Sequence, residues 1–503
     1  MKLHDLLKAT EHAVVVNSSD RSIRGIELDS RKVRPGSLFA VVPGPRDDGS
    51  RYVPDAIARG AVAVLTSRKI MVPHDVALIL VPNVREALAA LCCRFYGYPA
   101  ELVRTVGVTG TNGKTTVATL VRSLLTTAGK QAALMSTCVH QIGSRRIPAH
   151  NTTPECTELQ AFFAEMVERH IGYAVMEASS HSLDQGRVLG IPFQVAAFTN
   201  ITRNEHLDYH GTFDHYRRAK GHLFESLATN ATAVLNRDDP ESGFFAQRTR
   251  AAVMTYGLDA EADVTATIEA MDMSGMVLRI HTPSGQIRAH SPLVGRYNVM
   301  NLLTGTCCAL ALGLEPAAIA QGIERFTGAP GRLERVDAGQ RFSVLVDYAH
   351  NADGLLSVLN TLRQLTEGRL IVVFGAGGER DPSKRPLMGQ AAARWADAAF
   401  LTADNSRSEV TEDIIQAIEG GMTVDTVRLV EPDRREAIRK AIEMAAPGDV
   451  VLIAGKGHEA YQDIGGVRYP FDDREEARRA LLNLTARRAK DAAHRPLTLS
   501  GIS

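Results

Sequence analysis

The chain has 503 residues, which at roughly 150 per domain is enough for about three, and 45% of them are hydrophobic, enough to fill a core in each. Lys plus Arg equals Asp plus Glu at 57 each, so no overall charge excess points to nucleic acid or to an anionic membrane, and an anionic ligand must be held locally. The six cysteines include the adjacent pairs Cys92-Cys93 and Cys307-Cys308 but no Cys-x-x-Cys, so they read as small buried hydrophobes in a reducing compartment. Met1-Lys2-Leu3-His4-Asp5 opens no signal-like segment, and no run of 18 or so uncharged apolar residues occurs. The expectation is a soluble cytoplasmic protein, a monomer, with neither membrane nor nucleic-acid partner.

In chain order, apolar runs at 61–65 and 77–81 precede a helix-like segment at 84–95, which suits a small N-terminal α/β unit ending near Gly97-Tyr98-Pro99. A second unit starts with the strand-like run 102–108 and continues through runs at 173–176, 195–198 and 231–235 with helical stretches between, the pattern of a largely parallel sheet. Thr327-Gly328-Ala329-Pro330-Gly331 resists both helix and strand and marks the next boundary. Runs at 344–346, 370–374, 398–401 and 450–454 then alternate with helical segments, predicting a Rossmann-like α/β domain at the C-terminus. The tail after Ala486 lacks an apolar period and is expected to be partly disordered. The domains are therefore set at 1–98, 99–331 and 332–503.

Gly110-Thr111-Asn112-Gly113-Lys114-Thr115-Thr116 follows an apolar strand and precedes a helix with Val117, Leu120, Val121, Leu124 and Leu125 on one face. Glycines let backbone N–H groups turn inward around phosphate oxygens, and the helix N-terminus adds favourable dipole charge. Lys114 would reach the β- and γ-phosphates, and Thr115 or Thr116 would ligate Mg²⁺. Val108 stands where the strict motif has its first glycine, so the loop is a shortened variant. ATP with Mg²⁺ is the expected ligand, and the central domain a P-loop-type, mostly parallel sheet.

That loop, together with Glu177-Ala178-Ser179-Ser180-His181 and His206-Leu207-Asp208-Tyr209-His210-Gly211, resembles the Mur ligase family, and most closely those members that add the third residue to a UDP-linked muramoyl dipeptide. The likeness runs from Asp29-Ser30-Arg31 to Gly455-Lys456-Gly457-His458-Glu459. It implies three domains that bind the UDP-sugar, ATP and the incoming amino acid in turn. From the residues alone, Glu177 at the end of a strand could project a carboxylate toward the phosphate loop and hold Mg²⁺. His206, in a polar loop, could join it or be merely structural, since nitrogen is a less usual ligand for so hard an ion. The resemblance assigns both to a second magnesium that bridges the γ-phosphate and the substrate carboxylate, although Thr202-Arg203-Asn204-Glu205 makes the loop before His206 slightly longer than the family's. Lys220, by default a solvated lysine, matches a lysine that the family carbamylates into a carboxylate-like magnesium ligand, a step that needs a neutral amine.

For the sugar-peptide, the resemblance implies contacts from Asn151, Thr152, Thr153, Ser179, Gln185 and Arg187, with Leu28 and Ser30 near the uridine; taken singly, the Asn, Thr and Ser residues would be turn or cap residues. The loop at 44–49 is comparable to a UDP-side loop. Asn298, Arg332, Asp347 and His350 look like nucleotide contacts. Arg332, at the hinge, could meet phosphates only when the last domain closes; alternatively it pairs with Glu334. Arg380, Asp404, Asn405, Ser406, Arg407, Gly455 and Glu459 resemble a pocket for meso-diaminopimelate. Two arginines suit a carboxylate and two acids an ammonium, which is what a diamino acid with two zwitterionic ends requires and lysine lacks. Ser406 stands where the family has proline. The open alternatives are a ligase of the same type that adds L-lysine and, from another class, a nucleotide-dependent switch that grips a partner.

Overall fold

The computed structural model describes residues 1–17, 21–44, 49–203, 205–422 and 426–493. Most of the loop at 44–49, Asn204 in the lengthened segment and the end of the tail lie outside them. Two compact units are present: 1–267 with 279–289 and 300–325, and 268–278 with 290–299 and the chain from Phe326 onward.

In the first unit, β1 (Val14–Val16), β2 (Gly25–Glu27), β3 (Ser37–Ala40), β4 (Ala61–Thr66) and β5 (Ala77–Leu80) form a sheet in the order β1-β5-β4-β3-β2, parallel except for β1. The helix Val84–Tyr96 starts where the Asn83 carboxamide oxygen accepts from the N–H groups of Arg85 and Glu86, and stops at Gly97 with φ +76°. Its Leu88, Leu91 and Cys92 share one core with Leu38, Leu65 and Ile79, and Cys156 from beyond the Gly97 break joins the same core. That continuity makes residues 1–98 and the central sheet one compact body.

The central sheet holds β6 (Arg104–Thr109), β7 (Ala132–Met135), β8 (Val139–Ile142), β9 (Arg145–Pro148), β10 (Tyr173–Glu177), β11 (Phe193–Phe198), β12 (Thr232–Asn236) and β13 (Ala252–Tyr256). The order is β13-β12-β11-β6-β10-β7-β8-β9, parallel except where β8 and β9 turn back. β6, β10 and β11 are almost wholly buried, which is why they read as near-continuous apolar runs. β6 lies between β10 and β11, so successive strands are laid down on opposite sides of it. Parallel sheets bind ligands outside the carboxyl end of such a switch point, and the Gly110 loop leaves β6 there.

A three-stranded sheet, absent from the sequence-based expectation, follows in the order β14 (Thr265–Asp272), β15 (Gly275–Thr282) and β16 (Gly285–Ser291). The second unit is built on β17 (Glu334–Arg335), β18 (Ser343–Asp347), β19 (Leu370–Phe374), β20 (Ala398–Leu401), β21 (Val427–Val430) and β22 (Val450–Ala454), ordered β17-β18-β22-β19-β20-β21 and parallel except for β17. A hairpin of β23 (Tyr461–Ile464) and β24 (Val467–Pro470) precedes the helix Asp473–Ala493. Residues 486–493, expected to be partly disordered, continue that helix. No helix among the described residues is long and apolar enough to cross a membrane.

Candidate active site

The phosphate loop adopts a path that only glycine permits at two points. Gly110 has φ +149°, and a Cβ there would lie 1.9 Å from Thr199 Oγ1; at Gly113, with φ +86°, it would lie 2.5 Å from Asn301 Oδ1. The loop is pinned to the end of β11: the Thr111 N–H donates to the Asn200 carbonyl at 2.7 Å, the Asn112 N–H to Asn200 Oδ1 at 3.0 Å, and Thr199 Oγ1 to the Asn112 carbonyl at 2.6 Å. Thr111 Oγ1 lies 2.9 Å from the Tyr216 hydroxyl and accepts from the Thr202 N–H at 2.9 Å. No side chain caps the helix Lys114–Thr127, whose first turn carries the buried Thr115 and Thr116, so its terminal N–H groups suit an anion. Gly110→Ala should weaken ATP binding by at least about tenfold in calorimetry; undiminished affinity would show that this backbone path is not needed.

Two lysines meet on the loop. Lys114 Nζ donates to the carbonyls of Gly110 (2.9 Å) and Thr111 (2.8 Å), and Lys220 Nζ, from the helix Phe213–Glu225, donates to the same Gly110 carbonyl at 2.8 Å. Lys220 is not the solvated lysine its type suggests. It is 1% exposed, 4.6 Å above the Tyr216 ring, and burial followed by repulsion from Lys114 drives its pKa far down. A neutral amine is what carbamylation requires. Glu177 closes β10, buried, in register with Val108 on β6; its carboxylate accepts from the Thr137 N–H at 2.7 Å and the Thr137 hydroxyl at 3.2 Å. His206 sits at φ +58° with its ring 5.5 Å from Tyr216 and 5.3 Å from His181. Burial, then Lys114 and Lys220, push it down to about 3, so the imidazole is neutral with a lone pair to offer. The Thr115 hydroxyl and Glu177 carboxylate suit Mg²⁺; Lys220 suits it only as a carbamate.

The sugar-peptide set also gathers around Glu177. Thr153 Oγ1 donates to the Glu177 carbonyl at 2.7 Å and accepts from the Ser179 N–H at 3.1 Å, while Thr137 Oγ1 reaches Thr152 Oγ1 at 3.1 Å. Ser179 also caps the helix Ser180–Asp184, and Asn151 is exposed. Arg187 holds Thr153 O at 3.0 Å, Gln185 Oε1 at 2.6 Å and the Glu155 carboxylate at 2.9 Å. Leu28 and Ser30 stand apart on the small sheet, Leu28 against its core and Ser30 opening a 3₁₀ turn. Thr137 and Arg85, which donates to the Gln185 carbonyl at 3.0 Å, were missed because nothing in their sequence neighbourhood marks them, while Tyr209, within 3.2 Å of Gln185 Nε2, stands in the quoted run at 206–211 but was given no role of its own.

In the second unit Asp347, at the end of β18, accepts from the N–H groups of Leu333 (2.7 Å) and Ala349 (2.8 Å), and burial raises its pKa against the pull of Arg332. Arg332 lies 4.5 Å over the Tyr348 ring instead of pairing with Glu334, whose carboxylate accepts from the Gly331 N–H at 2.7 Å and meets Arg474 at 3.4 Å. His350 accompanies Tyr348, with ring centroids 4.6 Å apart, and the buried Asn298 donates to the Val294 carbonyl at 2.8 Å.

Asp404, Asn405 and Ser406, all buried, leave the end of β20. Asn405 Nδ2 donates to Glu459 at 2.8 Å, and its Oδ1 accepts from Lys456 at 2.8 Å and from the Asp463 N–H at 3.0 Å. Burial raises the Glu459 pKa while Lys456 opposes it. Gly455, at φ +114°, would place a Cβ 2.4 Å from Asp404 Oδ2. Arg407 has φ +52°, donates its backbone N–H to the Asp463 carbonyl at 3.0 Å, and binds the Gly378 carbonyl through its guanidinium; Arg380 is exposed close by in sequence to that glycine. The residue that sequence reasoning missed here is Arg434. It is wholly buried, pairs with Asp473 at 2.7 Å, and donates to the carbonyls of Ala403 (3.2 Å) and Ala454 (2.9 Å), each one residue before a pocket residue. Asp473→Asn leaves that guanidinium without its counter-charge and should cost about 3–5 kcal/mol in urea denaturation; a loss under about 1 kcal/mol would contradict this.

Three family models match the chain in order: the Mur ligase family catalytic domain at 22–96, the Mur ligase middle domain at 108–309, and the Mur ligase glutamate ligase domain at 331–457. A UDP-N-acetylmuramoyl-L-alanyl-D-glutamate--2,6-diaminopimelate ligase of Geobacillus thermodenitrificans is 45% identical over 488 residues, 96% of this chain and 99% of that one. A solved structure of a ligase with the same description aligns with a TM-score of 0.70 at 32% identity, covering 99% of this chain and 100% of the other. The fold is shared by a MurF ligase of Thermotoga maritima solved with ADP, at a TM-score of 0.64 and 18% identity over 94% of this chain and 100% of that one. With all three domain models matched in order and such identity sustained from end to end, the chain belongs to the Mur ligase family and has its three-domain α/β architecture.

Proposed function

We propose that the chain is an ATP-dependent ligase of peptidoglycan-precursor synthesis, joining meso-2,6-diaminopimelate to the D-glutamyl γ-carboxylate of UDP-N-acetylmuramoyl-L-alanyl-D-glutamate. The observation that carries this reading is the conjunction of a glycine-constrained phosphate loop with a pocket of mixed charge at 404–407 and 455–459, in a chain 45% identical to a ligase of that description. Residues 1–98 take the UDP-sugar, 99–331 the ATP and 332–503 the amino acid. The enzyme works in the cytoplasm as a monomer on small molecules.

The glutamyl carboxylate oxygen attacks the γ-phosphorus of ATP, the bond to ADP breaks, and an acyl phosphate forms. The diaminopimelate amine then attacks the acyl carbon, loses a proton, and expels phosphate to leave the amide. Lys114 and the uncapped helix terminus offset charge on the transferring phosphoryl group, and Thr153, Ser179 and Arg187 position the peptide. Thr115, Glu177, His206 and Lys220 as its carbamate would hold Mg²⁺, which neutralises phosphate charge and orients the carboxylate. Asn298, Arg332, Asp347 and His350 serve the nucleotide. Arg380 and Arg407 take the carboxylate of the far end of diaminopimelate, and Asp404 and Glu459 its ammonium, with Asn405, Ser406 and Gly455 shaping the pocket. The test is to supply ATP, Mg²⁺ and the UDP-muramoyl dipeptide with either diaminopimelate or lysine and weigh the product. A diaminopimelate adduct with ADP release is expected; a lysine adduct alone would overturn the specificity, and nucleotide-dependent partner binding without ligation would overturn the enzyme.

A further inference from the structure

Beside the sugar-peptide residues lies a group of side chains with no part in the reaction above. Asp184 ends the helix Ser180–Asp184, His210 ends the short helix Leu207–His210, and His215 lies in the first turn of the helix Phe213–Glu225. One ligand atom from each lies within 4.8 Å of the other two. We propose that Asp184, His210 and His215 form a binding site for a first-row divalent transition ion such as Zn²⁺, separate from the magnesium positions.

Three features support it. His210 is 4% exposed, and among the described residues neither of its ring nitrogens has a hydrogen-bond partner, although a buried imidazole ordinarily finds one. His215 has its Nδ1 2.9 Å from the His210 carbonyl, a bond only an N–H can make, so in the neutral ring Nε2 carries a lone pair. That lone pair faces Asp184 Oδ1 at 3.0 Å, two acceptors opposed unless a proton or a metal ion lies between them. A histidine fixed through one nitrogen by a carbonyl and presenting the other is the usual metal-ligand arrangement. The carboxylate is oriented in the same way, since the Tyr209 hydroxyl donates to Asp184 Oδ2 at 2.8 Å. Tetrahedral ligands about 2.1 Å from zinc stand about 3.4 Å apart, so a modest closing of the half-exposed Asp184 and exposed His215 side chains suffices. Two imidazoles and a carboxylate favour zinc or cobalt over magnesium, and three protein ligands leave a fourth position open.

The site does not depend on the ligase reading and is tested without turnover. With the full chain in excess Mg²⁺, titration with Co²⁺ should produce the visible absorption of a tetrahedral centre at one ion per chain, displaced by Zn²⁺. His215→Ala and Asp184→Asn, at accessible positions, should each weaken that binding by at least about tenfold while melting as the wild type does without metal. No such absorption in the wild type, or equal Co²⁺ binding by the wild type and both variants, overturns the proposal.

Discussion

Lys220→Ala should lower turnover by at least about 100-fold, a loss typical of removing one group that stabilises charge in a transition state. The wild-type amine is wholly buried, carries a strongly lowered pKa, and is held on the Gly110 carbonyl 2.8 Å away. A second ammonium beside Lys114 on one carbonyl would be a poor resting arrangement, which the lowered pKa of Lys220 eases and which carbamylation would turn into an attraction by placing an anion there. The alanine variant removes the amine while leaving the phosphate loop its other anchors at Thr199, Asn200 and Tyr216, so nucleotide binding should survive better than catalysis. Adding a short carboxylate such as formate should restore part of the rate if the missing group is a carbamate. Lys220→Arg, which keeps a long basic side chain but cannot be carbamylated, should stay as inactive as the alanine variant. Wild-type turnover in either, with an unchanged melting temperature, would remove Lys220 from the mechanism.

The second large effect concerns the choice of amino acid. Arg407→Ala should raise the KM for diaminopimelate by roughly 30- to 150-fold, equivalent to about 2–3 kcal/mol for charged hydrogen bonds to a carboxylate. The guanidinium is anchored on Gly378, and the backbone on either side is tied to the hairpin by the Arg407 N–H on the Asp463 carbonyl and the Gly465 N–H on the Arg407 carbonyl. The side chain can therefore be removed with its backbone still guided. Lysine has no second carboxylate for Arg407 to meet, so whatever slow reaction occurs with lysine should change little. Equal losses with both amino acids would mean that Arg407 shapes the pocket without reading the far end of the substrate.

The phosphate loop was legible because its chemistry is local: two glycines, a lysine and three threonines within seven residues, between a strand and a helix whose apolar periods are unmistakable. The major parallel strands were legible for the same reason, burial on both faces leaving an unbroken apolar run. β8 and β9, β14 to β16 and the hairpin at β23 and β24 were not, since antiparallel strands with a wet face alternate with polar residues and blend into loops, and β7, buried and parallel to β10, was missed because its apolar run is only four residues long. The break at Gly97 was placed by turn chemistry, yet Cys156 crosses it to complete the small sheet's core, a contact that no local signal records.

By itself the sequence determined which groups are present: a glycine-rich phosphate loop, a carboxylate at the end of a strand, a lysine at 220, and acids and arginines at 380, 404, 407 and 459. Only the tertiary structure decided their states. The fold buries Lys220 beside Lys114, which drives the pKa of its amine far down, and burial first, then Lys114 and Lys220, pushes His206 down to about 3. Arg332 lies over the Tyr348 ring, while Glu334 accepts from the Gly331 N–H and meets Arg474. Arg434, undistinguished in the sequence, became the buried tie between Asp473 and the carbonyls of Ala403 and Ala454, just before Asp404 and Gly455. Residue type is a local property of the chain, whereas protonation and partner choice depend on desolvation and on charges brought together from distant segments, and these exist only once the chain has folded.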